Sequence, residues 1–157
     1  MLILNGVQFP VCTDESWPMK TMFSIYESDN DTIRIYFEGG FAKNSLDGED
    51  IRPSFIINPF ETNKTKISEL IGMTFEVNTV EESYEREDSF YVWEHEPFIK
   101  IKLKIADIDT DNGKVHIECE GIAIIDAYTI PYITAPFSFE GWVPVSRWEE
   151  AVKQFGI

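Results

Sequence analysis

Between Phe98 and Ile125 apolar and polar residues alternate with period two, a pattern that an amphipathic helix does not produce. Ile99, Ile101, Leu103 and Ile105 interleave with Lys100, Lys102 and Lys104. One face of the segment must therefore enter a core while the lysines stay in water. Asp111-Asn112-Gly113 supplies turn chemistry before a second alternating run, Lys114 to Ile125. With those three residues as the turn, Lys104 is expected opposite Glu120 and Ile105 opposite Cys119.

The same period organises most of the chain. Leu2-Ile3-Leu4 and Val7 to Val11 flank Asn5-Gly6, which reads as a small hairpin. Phe23 and Ile25 face Ile35 and Phe37 across Asp29-Asn30-Asp31, with Ile25 expected opposite Ile35 and Tyr26 opposite Arg34. A short strand at Ser54 to Ile57, bracketed by Pro53 and Pro59, suits a sheet edge, and residues 43–50 read as a polar loop. Further strands are expected over 73–80, 89–93 and 135–140.

Helical spacing is confined to two places. Ile67, Leu70 and Ile71 ahead of Gly72 predict a two-turn helix over 65–71. Ser146-Arg147-Trp148-Glu149 has the form of a capping box and predicts a helix that ends near Phe155. With neither repeat nor linker, residues 1–157 are expected to form a single domain. Its fold class is α+β and mostly antiparallel β, a curved sheet or barrel-like sandwich with two short helices.

Twelve phenylalanines and four tryptophans, within a 43% hydrophobic share, exclude a disordered acidic chain. A chain of 157 residues buries about 69% of its unfolded surface on folding, enough for a core without staples. Cys12 and Cys119 lie far apart without metal-type spacing and are expected to be buried free thiols. The start lacks a basic region ahead of its four apolar residues, and no apolar stretch approaches a membrane span. A soluble cytoplasmic protein is the expectation.

Charge narrows the partners. Twenty-eight acidic side chains against thirteen basic ones leave a formal net charge of −15. Such a body repels nucleic acid and anionic lipid and favours cationic ligands, although acidity also serves plain solubility. The carboxylates are densest between Glu81 and Glu96, where Glu81, Glu82, Glu85, Glu87, Asp88, Glu94 and Glu96 meet one cation, Arg86. Tyr84, Tyr91 and Trp93 are interleaved with them and, on a regular strand, are expected on the face opposite Phe90 and Val92. The plain structural reading of this segment is a solvated acidic loop followed by a core strand. The functional one is an interface in which charge steers a basic partner and rings anchor it.

Catalytic and metal patterns are thin. Asp107, Asp109, Asp111 and Glu118 echo the carboxylate spacing of a calcium loop, but Asn112 stands where such a loop needs glycine, and strands flank it. Glu94-His95-Glu96 splits its donors between two faces of a strand, whereas His116, Glu118 and Glu120 share one and read as a solvated charge ladder. No Gly-x-Ser-x-Gly, phosphate-cradling loop or zinc spacing is present. Tyr128 and Tyr132 around Pro131 suit a packed loop or the mouth of an apolar pocket.

The expectation is therefore a non-enzymatic, cofactor-free and metal-free protein that recognises a basic protein partner, most concretely an immunity protein neutralising a cationic toxin. Its partner-binding residues would be Glu81, Glu82, Tyr84, Glu85, Glu87, Asp88, Tyr91, Trp93, Glu94 and Glu96, and neither nucleic acid nor membrane would be a partner. A small-molecule-binding β-barrel, or an enzyme with a carboxylate-based site, is the alternative, and a homo-oligomer is a further option.

Overall fold

In the computed structural model, which describes all of residues 1–157, 53% of the chain is strand and the ladders are antiparallel. A six-stranded sheet runs in the order β2 (Val7–Phe9), β1 (Leu2–Leu4), β13 (Ile133–Pro144), β12 (Lys114–Asp126), β11 (Phe98–Asp109) and β8 (Thr74–Val77). A five-stranded sheet runs β10 (His95–Glu96), β9 (Ser89–Tyr91), β7 (Ser54–Glu61), β4 (Ile33–Gly40) and β3 (Met22–Glu27). A two-stranded ribbon, β5 (Asn44–Leu46) and β6 (Glu49–Ile51), occupies what reads as a polar loop; its Asp47-Gly48 turn takes positive φ at both residues. Two short helices, α1 (Val80–Arg86) and α2 (Trp148–Phe155), complete the chain.

The sheets do not close, so the barrel-like expectation is corrected to an open, sandwich-like α+β arrangement. One cluster of 34 buried residues fills the space between them. Phe37 and Phe55 from the five-stranded sheet reach Phe139 of the six-stranded sheet at 5.8 and 6.4 Å between ring centroids. Each fully buried phenylalanine stabilises the fold by roughly 1.5–3 kcal/mol relative to exposure. The phenylalanine-rich composition is thus spent inside.

The hairpin registers follow from alternation where turns are tight. Leu2 pairs Phe9 across Asn5-Gly6, both turn residues having positive φ, and Ile25 pairs Ile35 while Tyr26 pairs Arg34. In β11–β12 the expected register is off by two: Lys104 faces Glu118, Ile105 faces Ile117, and Lys102 faces Glu120. The turn takes four residues, Thr110 to Gly113, and a bulge between Ile105 and Asp107 shifts the ladder again. Two single steps restore the parity of the faces, so the lysines remain outside.

Four further expectations change. The strand at Ser54 lies between β4 and β9 instead of at an edge, and Pro59 sits inside it where the ladder slips between Ile35 and Phe37. The helix expected over 65–71 is one 3₁₀ turn, Ile67–Leu70, which buries those two residues and leaves Ile71 exposed. Ser146 does not cap α2: its N–H bonds the Phe23 carbonyl, and Arg147 starts the helix at φ 51° without a side-chain cap. Finally, the strand expected over 73–80 ends at Val77, and Val80 together with the residues read as an acidic loop from Glu81 forms a helix to Arg86. Cys12 and Cys119 are free and buried, and no helix is long and apolar enough to cross a membrane.

Candidate functional site

The acidic segment lies where the chain passes from one sheet to the other. Glu96 closes β10, Pro97 turns the chain, and Phe98 opens β11. Helix α1 sits against β11, and the β12–β13 hairpin brings its tip, residues 127–132, to the same end, because Phe98 pairs Ala123.

Helix α1 forms because Thr79 Oγ1 accepts the Glu82 N–H at 3.1 Å and because Glu81 and Glu82 face the positive end of the helix. Ser83 points inward, and its hydroxyl accepts the Phe98 N–H at 2.9 Å. That inward turn leaves Glu81, Glu82, Tyr84 and Glu85 outside.

Asp88, expected at the partner surface, is instead 3% exposed and structural. Its carboxylate accepts Arg86 Nε at 2.8 Å and the Asn58 N–H at 2.7 Å, while Arg86 also donates to the Asn58 carbonyl. Burial pushes the Asp88 carboxyl above its ordinary range, against the opposing pull of Arg86 and the Asn58 N–H. The one cation of the segment is thereby committed to the one buried carboxylate, so no cation of the segment is left to pair with the outer carboxylates.

The remaining residues divide. Phe90 and Val92 are buried, whereas Trp93 is 43% exposed and Tyr91 is half-buried with its ring 5.0 Å from His95. Glu87 caps α1 in the left-handed conformation, exposed, and like Glu82 lies apart from the hollows described next.

Three shallow hollows adjoin one another at this end. Val80, Glu81, Tyr84, Glu85, Glu96 and Tyr132 line the first. Trp93, Glu94, Glu96, Asp126 and Tyr128 line the second. Tyr128, Ile130, Pro131 and Tyr132 line the third. Glu96, Tyr128 and Tyr132 each border two of them, which makes one continuous groove. Of the chain's twelve exposed large apolar side chains, Tyr84, Trp93, Tyr128, Ile130 and Tyr132 line it, and Ile133 follows directly.

The groove's charges act on one another. The Tyr128 hydroxyl donates to both oxygens of Glu94, at 2.7 and 2.9 Å, and clips the hairpin tip to the acidic segment. That bond raises the phenol above the ordinary tyrosine range. Glu96 is raised by burial first and then by the nearby charges of Glu94 and Asp126.

Tyr128 and Tyr132 carry a signal in sequence, apolar rings in a loop, but their union with Glu94 and Glu96 depends on topology. Asp126 carries no local signal. The other patterns stay apart from this end. Asp109 accepts N–H bonds from Asp111 and Asn112 as an ordinary turn, and no three His, Cys, Asp or Glu side chains converge to hold a metal ion. His116 stacks on Trp142 at 5.1 Å and lies 3.4 Å from Glu140, while Lys104 and Glu120, expected as a pair, lie two ladder steps apart. Compared with family models, curated proteins and solved structures, the chain matches none.

Proposed function

We propose that this protein binds a basic protein partner through the groove formed by α1, residues 93–96 and the 126–132 tip. The observation that carries the reading is the coincidence on one surface of five exposed large apolar side chains with Glu81, Glu85, Glu94, Glu96 and Asp126. Isolated exposed rings are ordinary, but a contiguous apolar patch rimmed by one sign of charge is the composition of a docking surface.

The carboxylates speed and orient the encounter with a positive surface, and the rings supply area that water leaves on contact. The hollows are shallow and open, which suits a macromolecule better than an enclosed small ligand. An immunity protein that neutralises a cationic toxin is the concrete form, since a basic nuclease is countered by an acidic body that covers its positive surface.

Affinity capture from the native host's lysate tests this, with the parent chain and a Glu81→Lys/Glu85→Lys/Glu94→Lys variant as parallel baits eluted by a salt gradient. The parent should retain a basic protein that the variant loses, and that protein should be growth-inhibitory when produced alone. Identical captures on both baits would move the binding surface elsewhere or abolish it.

A further inference from the structure

Resting on the reading above, we infer that the hollow between Trp93 and Tyr128 seats a single arginine side chain of the basic partner. Two aromatic rings and three carboxylate side chains, Glu94, Glu96 and Asp126, border this hollow. Its volume is about 220 Å³, close to seven waters at ~30 Å³ each. That is room for one large side chain and too little for a folded element.

The chemistry selects the occupant. No lysine, arginine or histidine lines the hollow, so three mutually repelling carboxylates stand without an internal counter-charge. Glu96 is partly covered there, and burial first, then the charges of Glu94 and Asp126, raise its carboxyl. A planar guanidinium stacks on indole and phenol faces and offers several N–H donors to carboxylates spread around it. An ammonium is a more strongly hydrated point charge and gains less from flat aromatic walls. Glu94 is already oriented by the Tyr128 hydroxyl, which accounts for one of its interactions and leaves acceptor positions on both oxygens. The seat is therefore partly built before the partner arrives. Ile130 and Tyr132, next along the groove, offer apolar surface to the residues that flank the arginine.

The probe is N-acetyl-arginine amide, titrated at millimolar concentration into the isotopically labelled full chain and followed by nuclear magnetic resonance. Shifts should concentrate at the Trp93 indole N–H and at the amides of residues 94–96 and 126–128. The neutral isostere N-acetyl-citrulline amide should leave them in place, and the lysine analogue should bind more weakly.

Glu96→Gln should weaken the arginine analogue about fivefold and Trp93→Ala about two- to fivefold. Glu82→Gln and Glu87→Gln, exposed carboxylates outside the hollow, should change nothing, and an unchanged spectrum elsewhere shows that each variant is folded. Equal binding of the arginine, lysine and citrulline analogues, or shifts spread evenly over all the outer carboxylates, overturns the seat. If the seat fails while the triple-lysine bait still loses its basic partner, the broader reading survives. If both fail, both fall.

Discussion

Replacing Asp88 by asparagine should destabilise the fold out of proportion to the single atom changed. Asp88 is 3% exposed, and its carboxylate holds Arg86 Nε at 2.8 Å and the Asn58 N–H at 2.7 Å. The Arg86 side chain is itself largely covered, 21% exposed. Asparagine keeps an oxygen for the Asn58 N–H but removes the charge and sets an amide against the guanidinium, leaving a half-buried cation without its partner. Breaking a buried pair from one side costs about 3–5 kcal/mol, and the retained acceptor, together with the burial that already disfavours the ionised carboxyl, places this variant near the lower end.

With a urea slope of about 2 kcal/mol per molar, the unfolding midpoint should fall by roughly 1.5 M. Arg86→Met strands the opposite charge and should cost a similar amount. The double variant should be less destabilised than the sum of the two by at least about 2 kcal/mol, because neither charge is then left alone. Additive losses, or an Asp88→Asn midpoint within experimental error of the parent, would refute the assignment of Asp88 to structure. They would return it to the outer acidic surface.

Phe55→Ala removes the ring that neighbours Phe37, Phe41, Phe90, Phe98, Phe137 and Phe139, and should cost about 3–5 kcal/mol by thermal or urea unfolding. Thr79→Ala removes the acceptor at the start of α1 and should cost about 1 kcal/mol, accompanied by faster amide exchange at residues 80–86. The Tyr128–Glu94 bond requires the neutral phenol, so its contribution is present below the ordinary tyrosine value near ~10 and disappears as pH rises through the raised folded value. Ultraviolet titration should show two late-ionising tyrosines in the parent, Tyr36, raised by burial and by its bond to Glu38, and Tyr128, and only Tyr128 should move towards the ordinary range in Glu94→Gln.

Periodicity made the faces legible, and topology decided what met what. The lysine-bearing face of β11 and the inward phenylalanines follow from alternation alone, whatever the register. The register itself required knowledge of a four-residue turn and of a bulge after Ile105, neither of which has a composition that marks it. The start of helix α1 carries a local signal: Thr79-Val80-Glu81-Glu82 has the capping-box form, and Glu82 donates its N–H to Thr79. Ser146-Arg147-Trp148-Glu149 has the same form, yet the Ser146 backbone is drawn to Phe23 instead, so one motif yielded a cap and the other did not.

At the site, the carboxylates and Trp93 could be read locally. Asp88 could not be told from its acidic neighbours until its burial was seen. Tyr128 and Tyr132 could not be joined to Glu94 and Glu96 across some thirty residues without the β12–β13 hairpin that carries them there.

The central claim is that the basic partner sits on the α1 end of the molecule. Hydrogen exchange of the chain with and without the partner captured from the host tests it most directly. The claim predicts slowed exchange over residues 80–86, 93–97 and 124–133, with the lysine face of β11 unchanged. Protection centred on Lys100, Lys102 and Lys104, with the groove exchanging as freely as before, would contradict it.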